Sequence, residues 1–332
     1  MVLALAACAP PAAAPCDNAS PQPSCVTVVI PRGATLDAAV DSLAARGVIT
    51  SPRWFGLYAR LRGLGSGLKS GVYGFHTGER WGAVIDALSR GRGTLVRWLV
   101  TEGLTLSEIA EAARVQLGVP EDSFLAAAHD PAVLARLSLA PPTRSAEGYL
   151  YPTTYLVRAH PAARDLVRMM VNRFLGYWTP EWQARVDSLH WSRLQLVTLA
   201  SIIQSEIRYA PDREYVSAVY HNRLRRGMKL EADPTVIYAY GRHLRRVYEK
   251  NLLIRSPYNT YLHPGLPPGP ISQPDTASLR AALYPAAAPF LYFVAQPDGK
   301  HIFSVTFADH LVAIRAVQQM RRLARARRPP GR

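Results

Sequence analysis

The chain has 332 residues, 48% of them hydrophobic, which is enough for one large domain or two to three smaller ones with buried cores. Its formal net charge of +15 fits an anionic partner, such as nucleic acid, an acidic polymer or a membrane surface, and does not choose among these. The favoured alternative is a solvated basic surface, because much of the excess is arginine in an alanine- and proline-rich chain, a bias that genome composition also produces. All three cysteines precede residue 26, which excludes thiol chemistry and cysteine-ligated metal from the body of the chain.

The first 25 residues have the composition of a leader followed by a tether. Met1–Ala7 is apolar and closes on Leu5–Cys8, which resembles the bacterial lipobox and indicates export and membrane attachment. The run lacks a positive n-region and is too short to span a bilayer, so a truncated start and an accidental match remain alternatives. Residues 10–24 predict a flexible tether, within which Cys16 and Cys25 are able to pair in an oxidising compartment.

Two similar strand–turn–helix patterns bound an N-terminal α/β module, which we place at residues 26–100. The first is a strand and turn at Val26–Gly33, with Thr35 as a helix cap ahead of an apolar helical stripe, Leu36, Ala39, Val40 and Leu43. The second is Leu99–Gly103, followed by a capping box of Thr105 and Glu108. Between them the pattern predicts a strand at Gly71–Phe75 and a helix at Trp81–Leu88 that ends at Gly91.

Gly63–Ser70 is glycine-rich, as phosphate-binding loops are. No glycine directly precedes Lys69 and no long helical pattern follows, so we interpret the segment as a connector.

The second region, residues 101–320, is mostly helical in pattern. Helices are predicted at Asp122–His129, Ala162–Leu175, Leu194–Glu206 and Arg213–Arg226. Beyond Asp233 the chain is loop-rich, up to a hairpin of Leu291–Ala295 and His301–Val305 around the turn Pro297–Gly299. A last helix at Ala308–Met320 precedes a basic tail, residues 321–332, which we interpret as disordered. The predicted fold class is α+β.

Glu206 is the one carboxylate near the end of an otherwise apolar helical run. Leu199, Ile202 and Ile203 share its helix face, and apolar surroundings disfavour the charged form of a carboxyl group. The negative end of the helix dipole, which Pro211 places nearby, acts in the same direction. A carboxyl group held protonated near pH 7 is able to act as an acid, whereas the alternative is a solvated glutamate at a fraying helix end.

Three polar segments in the second half carry more aromatic and amide groups than a plain core requires. They are Glu147–Tyr155, the stretch from His221 to Tyr238, and Ser256–Gly269. Prolines and glycines make these loops locally stiff, so they are able to hold sugar-binding groups around a groove. The candidate substrate-binding residues are Tyr151, Asn222, Tyr238, Tyr258 and Asn259. The alternative is that these residues simply pack a helical domain.

Other chemistries have less support. The nine histidines show no HExxH spacing, no Cys-x-x-Cys occurs, and no Gly-x-Ser-x-Gly elbow is present, so we expect no metal, no cofactor and no serine triad. The remaining acid candidates are Glu147, Glu206, Glu231 and Asp233. Two of them acting as a glycosidase pair stays open, because the sequence does not give their separation.

The helix that ends at Glu206 and the polar segments of the second region resemble the motifs of a known family, the YceG-like endolytic peptidoglycan transglycosylases of bacteria. Ala200-Ser-Ile-Ile-Gln-Ser-Glu-Ile207 is similar to the family motif Ala-Ser-Ile-Ile-Glu-Lys-Glu-Thr, and Glu206 aligns with its catalytic glutamate. The other similar segments follow in family order: Glu147–Gly148, Tyr151–Pro152, Asn222–Met228, Asp233–Tyr238, Pro257–Tyr261, Gly265–Ile271 and Leu291–Val294. The resemblance extends from about Val26 to His310.

The resemblance implies a LysM-like subdomain at the N-terminus and an enzyme that cleaves the β-1,4 bond between N-acetylmuramic acid and N-acetylglucosamine. Glu206 would act first as general acid and then as base, and the product would carry a 1,6-anhydro ring. It also implies that the protein is membrane-anchored in the cell envelope with its catalytic domain outside the cytoplasm, near the peptidoglycan synthesis machinery. Asp233, before a proline in a tight turn, is expected to be structural.

This chain departs from the family pattern at several positions. Gln204 replaces the first glutamate of the motif, which indicates that this position is dispensable for chemistry, and Ile207 replaces a hydroxyl residue beside the catalytic carboxyl. Thr153 stands where aspartate is common, and Glu231-Ala232 where Gln-Thr is. The family's usual transmembrane helix is not visible in the sequence either.

Two other function classes remain as alternatives. A catalytically impaired peptidoglycan-binding scaffold, favoured by Ile207, would bind glycan and yield no anhydro products. A nucleic-acid-binding protein, suggested by charge alone, would bind DNA with a strong dependence on salt, and the leader segment argues against it. Hydrolysis in place of transglycosylation would give products one water heavier.

Overall fold

The computed structural model describes residues 25–31, 33–91, 94–139, 145–158, 161–241, 244 and 247–326. The chain forms two compact units. Of the described residues, those up to Trp98 and within Thr154–Pro161 form one unit, and those within Leu99–Thr153 and from Ala162 onward form the other. The predicted lipobox, the tether and the partner proposed for Cys25 lie outside the described residues, although Cys25 itself is disulfide-bonded.

The first unit is a four-stranded sheet with helices packed against it. Its elements are β1 (Cys25–Ile30), α1 (Leu36–Ala45), α2 (Pro52–Leu61), α3 (Leu64–Gly67), β2 (Gly71–His76), α4 (Trp81–Arg90), β3 (Thr94–Leu99) and β4 (Thr154–Arg158). The strand order is β1-β2-β3-β4. β1 and β2 are antiparallel with Val28 opposite Tyr73, and β2 and β3 are antiparallel with Tyr73 opposite Thr94.

The local signals of this unit behave as predicted. The side chain of Thr35 accepts a hydrogen bond from the amide of Ala38 and caps α1, whose predicted apolar stripe is buried. Gly91 ends α4 in the left-handed conformation at φ 66°. The glycine-rich connector contains the short helix α3. The sequence patterns did not identify α2, although it lies within the range 26–100. That range also leaves out β4, which joins this sheet from much later in the chain.

The second unit is predominantly helical. Its elements are α5 (Leu106–Leu117), α6 (Glu121–Ala128), α7 (Pro131–Arg136), α8 (Ala163–Tyr177), α9 (Pro180–Ser188), α10 (Arg193–Glu206), α11 (Arg213–Arg225), α12 (Asp233–Tyr240), α13 (Thr276–Leu283), β5 (Tyr292–Ala295), β6 (His301–Ser304) and α14 (Phe307–Ala326). β5 and β6 form the predicted antiparallel hairpin, with Phe293 opposite Phe303. Mixed helices and small antiparallel sheets confirm the α+β class, whereas the LysM-like assignment stays a prediction.

Two predictions for this unit need correction. The region beyond Asp233 was expected to be loop-rich, yet it contains α12 and α13, because Asp-Pro at residues 233–234 starts a helix in which the proline occupies the first turn. The last helix was expected to end at Met320, yet α14 continues to Ala326 and takes up half of the predicted disordered tail.

Helix α10 is the centre of the second unit. It begins with a capping box between Ser192 and Gln195, and every residue from Leu196 to Gln204 is buried. Helices α9, α11, α12 and α13 all contact it. Among the described residues, no helix combines the length and the apolar composition that crossing a bilayer requires.

Candidate active site

Glu206 lies where the buried helix α10 ends. Gln204 is buried, Ser205 is exposed, and Ile207 leaves the helix in an extended conformation at φ −80° and ψ 123°. Glu206 itself is partly exposed, so its carboxyl group stands at the edge of the core. The carbonyl end of the helix dipole points toward it and disfavours a negative charge.

Tyr220 of α11 is the hydrogen-bond donor to this carboxyl group. Its hydroxyl donates to Oε1 of Glu206 over 3.1 Å, and its ring is fully buried. Burial and the neighbouring carboxylate of Asp233 raise the pKa of Glu206 to about 7, against the opposing effect of the Tyr220 hydrogen bond. Burial and the charge of Glu206 also raise the pKa of Tyr220, so this hydroxyl stays a donor. Glu206 therefore has the acidity that proton transfer near neutral pH requires.

Asp233 is more than the structural turn residue that was expected. It is the first residue of α12, with Pro234 directly after it, and its Oδ1 accepts a hydrogen bond from the hydroxyl of Tyr261 over 2.7 Å. Its charge is one of the causes that raise the pKa of Glu206. The prediction of a tight turn is therefore wrong, and the residue acts electrostatically on the candidate acid.

Glu147 is a second carboxyl group in this unit, and it is 5% exposed. The backbone amide of Leu106 lies 3.0 Å from both of its oxygens, the side-chain amide of Gln273 donates to Oε1 over 2.6 Å, and the hydroxyl of Tyr238 donates to Oε2 over 3.3 Å. Burial raises its pKa to about 7 in spite of these hydrogen bonds.

The surroundings distinguish the two carboxyl groups chemically. Three donors from three separate segments engage the oxygens of Glu147, and almost none of its surface is accessible to a ligand. Among the described residues Glu206 accepts a hydrogen bond from Tyr220 alone, and it is partly exposed. A general acid has to come within hydrogen-bond reach of the substrate oxygen, so the partly exposed Glu206 is the better candidate of the two. Glu147 instead ties the start of α5 to α12.

Tyr238 and Tyr258 lie side by side next to this buried carboxylate. Their ring centroids are 4.8 Å apart, and both side chains are partly exposed. Burial and the charge of Glu147 raise the pKa of both hydroxyl groups. A pair of partly exposed tyrosines with protonated hydroxyls is suited to contact a sugar, so both residues stay candidates for substrate binding.

The other three predicted substrate residues belong to the framework. Asn222 donates both amide hydrogens to backbone carbonyls, those of Ala288 and Phe290, over 2.9 and 2.7 Å. Asn259 does the same with two carbonyls of residues 252 and 254, over 2.8 and 2.9 Å, and is fully buried. Tyr151 is 8% exposed, stacks on Tyr177, and shares a hydrogen bond with Thr276. These three side chains support the site, contrary to the prediction that they face a glycan.

The departure at Gln204 has a structural explanation. Its side-chain oxygen accepts hydrogen bonds from the amide of Asp275 over 3.1 Å and from the hydroxyl of Ser278 over 2.7 Å. Both donors belong to the first turn of α13 and its cap. A neutral glutamine thus fixes α13 against α10 without adding a further charge beside Glu206. No contact explains Ile207, which is partly exposed.

The sequence interpretation missed three residues that shape the site, Tyr220, Tyr261 and Gln273. Tyr220 lies on an apolar face of α11. A buried tyrosine hydroxyl needs a hydrogen-bond partner, and this requirement could have identified Tyr220 from the sequence. Gln273 holds the amide of Leu150 over 2.9 Å with its oxygen while its nitrogen donates to Glu147. Its partner residues are distant in sequence, so no local pattern identifies it.

Neither the pocket described next nor the distribution of metal-binding side chains indicates a second catalytic centre among the described residues. A pocket of about 370 Å³ is lined by Trp191, Gln195, Leu224, Gly265, Leu266 and Pro267. Gln195 and Glu206 are eleven residues apart on α10, or about 16 Å along the helix axis, so this pocket is remote from the candidate acid. Within the described part of the chain, no three His, Cys, Asp or Glu side chains cluster closely enough to hold a metal ion.

The chain is similar in sequence and structure to several known proteins. The profile of the YceG-like family matches residues 28–316. A protein of Bacillus subtilis named endolytic murein transglycosylase is 33% identical over 302 residues, which cover 86% of this chain and 82% of the relative. A Streptococcus pneumoniae protein of the same name is 26% identical over 316 residues, or 86% of this chain and 57% of the relative. The 2.6 Å crystal structure of a YceG-like protein from Listeria monocytogenes has 30% sequence identity and a TM-score of 0.60, and the match covers 87% of this chain and 98% of that one.

Proposed function

Because this chain belongs to the YceG-like family, we propose that it is an endolytic murein transglycosylase in which Glu206 is the general acid and base. The predicted family is confirmed by the profile match, and the predicted class of enzyme by relatives that carry this name. The bond cleaved, the anhydro product and the role of Glu206 are the parts we propose.

The first half of the reaction breaks the bond between N-acetylmuramic acid and N-acetylglucosamine inside a glycan strand. Protonated Glu206 donates its proton to the glycosidic oxygen, so the N-acetylglucosamine side leaves as a neutral alcohol. The bonding electrons stay with that oxygen, and positive charge develops on C1 of the muramic acid ring. The sugar's own N-acetyl group stabilises this charge, as in substrate-assisted glycosidases, so one protein carboxyl group suffices.

The second half closes a ring without water. Glu206, now ionised, removes the proton of the C6 hydroxyl of the same muramic acid while that oxygen attacks C1. The product is a 1,6-anhydro sugar, and Glu206 regains its proton and is ready for another cycle. Both steps need a carboxyl group whose pKa lies close to the working pH, and that of Glu206 is raised to about 7.

One observation supports this proposal more than any other, namely that Glu206 combines a raised pKa with a partly exposed position at the end of α10. Glu147 has an equally raised pKa, yet its oxygens are occupied by donors from the protein. Tyr238 and Tyr258 are proposed as sugar-contacting residues, and Tyr220 and Asp233 as the groups that hold Glu206 in place and set its acidity.

A peptidoglycan substrate implies that the enzyme works in the cell envelope. We propose that residues 1–25 attach it to the membrane, with the catalytic unit outside the cytoplasm. In that position the peptidoglycan synthesis machinery is the proposed neighbour, since both act on the same strands. Cells that express the chain are separated into membrane and soluble fractions, and the share of the chain in the membrane fraction is compared with that of a Cys8→Ala variant. A lower membrane share in the variant is expected.

The activity test is a digest of purified peptidoglycan strands followed by mass spectrometry. Products with 1,6-anhydromuramic ends, one water lighter than hydrolysis products, and a broad distribution of fragment lengths are expected. Reducing muramic ends would indicate a hydrolase, and fragments released only from strand ends would contradict endolytic cleavage. Binding to peptidoglycan with no product at all would identify the alternative, a catalytically impaired scaffold.

A further inference from the structure

Helix α2 of the first unit is apolar on two opposite faces. Phe55 and Ala59 point into the core and are fully buried. Trp54, Leu57 and Leu61 are 68, 51 and 78% exposed. Residues i, i+3 and i+7 fall within about 60° of one another on a helix, so these three side chains form one outward stripe, which we call the α2 stripe. A surface helix normally presents polar residues on this side.

Positive charge surrounds the α2 stripe. Arg53 and Arg60 flank it on the helix, Arg62 follows it directly, and Lys69 comes shortly after, all with exposed side chains. Arg60 pairs with Asp37 at 2.7 Å, but both side chains are well exposed, so this ion pair is weak. Residues 42–78 contain five Lys or Arg and no Asp or Glu. The surface therefore combines exposed apolar side chains with net positive charge, since only Arg60 of these four cations has a carboxylate partner that the structure describes.

The chemistry of this surface restricts its partner. Sugar sites place amide or carboxylate side chains beside an aromatic ring, and residues 42–78 contain no Asn, Gln, Asp or Glu, which argues against a sugar platform built from this segment around Trp54. A second copy of the same surface would bring like charges together. A single convex helix face also lacks the groove in which an amphipathic peptide docks. The remaining candidate is a partner that has negative charge at its surface and apolar material just below it.

We propose that the α2 stripe is a membrane-contact surface, which inserts Trp54, Leu57 and Leu61 into the headgroup region of an anionic bilayer. Tryptophan is enriched at this depth because its ring is apolar and its N–H is polar. Leucines reach the acyl boundary from a helix that lies parallel to the surface. The flanking arginines and Lys69 then meet lipid phosphates, where each cation adds to the attraction.

This contact is a separate property from the anchor proposed for residues 1–25 and from the transglycosylase reaction. It would orient the first unit on the membrane, which an anchor on a flexible segment does not do by itself. The proposal can fail while the catalytic proposal stands, since no residue of the α2 stripe belongs to the candidate active site.

The test measures binding of the full 332-residue chain to vesicles by co-sedimentation. One set contains phosphatidylglycerol and phosphatidylcholine, and the other phosphatidylcholine alone. The stripe variant carries Trp54→Ser, Leu57→Ser and Leu61→Ser. The matched control carries Val115→Ser, Leu253→Ser and Val312→Ser, three apolar residues that are 65, 71 and 58% exposed elsewhere. Every chain also carries Cys8→Ala, so the anchor proposed for residues 1–25 does not mask the contribution of the α2 stripe.

The proposal predicts at least a tenfold loss of binding to the anionic vesicles in the stripe variant and less than a twofold change in the control. It also predicts that binding to the anionic vesicles falls with salt and exceeds binding to pure phosphatidylcholine. In the wild type, brominated lipids should quench the fluorescence component that a Trp54→Phe variant lacks. Because the substituted side chains are all exposed, loss of folding is not expected, and circular dichroism checks it.

Equal losses in the stripe variant and the control, or no loss in either, would overturn the proposal. So would unchanged vesicle binding together with loss of binding to insoluble peptidoglycan, because that result would make the α2 stripe a glycan platform. Quenching of the wild type and of Trp54→Phe to the same extent would show that Trp54 stays out of the bilayer, which also contradicts the proposal.

Discussion

Replacing Glu206 with glutamine should make the protein more stable at alkaline pH, although it removes the candidate acid. Glutamine keeps an oxygen that accepts the hydrogen bond of Tyr220, which spans 3.1 Å in the wild type. It lacks the proton whose release becomes costly in this environment. The substitution therefore isolates the energetic consequence of the raised pKa.

The magnitude follows from the pKa of Glu206, which burial and the carboxylate of Asp233 raise from 4.5 to about 7. The folded state then holds a proton that the unfolded state releases between these two values, so stability falls as the pH rises through this window. The shift corresponds to a ceiling of about 3 kcal/mol, and partial exposure reduces this to about 1–2 kcal/mol. For a unit of about 150–250 residues this is a rise in Tm of about 2–8 °C in the variant.

Calorimetry of the wild type and Glu206→Gln at pH 5 and pH 8.5 measures the effect. At pH 5 about a quarter of the effect is already present, so the variant should melt only slightly higher than the wild type there and clearly higher at pH 8.5. Glu111→Gln, on the exposed side of α5, controls for the loss of one negative charge. A Tm difference that is the same at both pH values, or that the control reproduces, would refute the argument that this carboxyl group is held protonated.

Three further substitutions test the surroundings of the site. Asp233→Asn removes a charge that raises the pKa of Glu206, so the alkaline limb of the pH–rate profile should move to lower pH; an unchanged profile would leave Asp233 without this role. Gly148→Ala forces a side chain at φ +85° and places its Cβ 2.5 Å from Pro270, so it should lower stability by about 2–4 kcal/mol in denaturant titrations, whereas a loss below 1 kcal/mol would contradict the crowding. Tyr238→Phe removes a hydroxyl that donates to a buried carboxylate, so steady-state kinetics should show a raised KM with a smaller change in kcat, and the reverse pattern would exclude a role in binding.

The parts of this molecule that local chemistry determines were predictable from its sequence. The capping box of Thr105 and Glu108 involves residues three apart, with distances of 3.2 and 2.8 Å, and sequence spacing alone identifies it. The buried stripe of α1 and the end of α10 at Glu206 follow from helical periodicity in the same way. The Pro-Asp-Gly turn at residues 297–299 predicts the hairpin of β5 and β6.

The parts that depend on distant residues were not predictable. Strand β4 pairs within a sheet whose other strands lie before residue 100, and no local pattern carries this information. Glu147 receives hydrogen bonds from residues 41, 91 and 126 positions away, so its buried role was open at the sequence level. Asn222 and Asn259 were misassigned because an amide that binds a sugar and one that binds a backbone carbonyl look alike in sequence, and only the fold supplies the carbonyls.

Comparing Glu206→Gln with Glu147→Gln tests the central claim most directly, because each variant neutralises one of the two carboxyl groups whose pKa is raised to about 7. The measurement is the rate at which 1,6-anhydro ends form on purified glycan strands. The account predicts that Glu206→Gln loses at least about a thousandfold in rate, as expected for loss of both the acid and the base step. Glu147→Gln should retain activity that is measurable above that level. Full activity in Glu206→Gln, or loss in Glu147→Gln alone, would contradict the account.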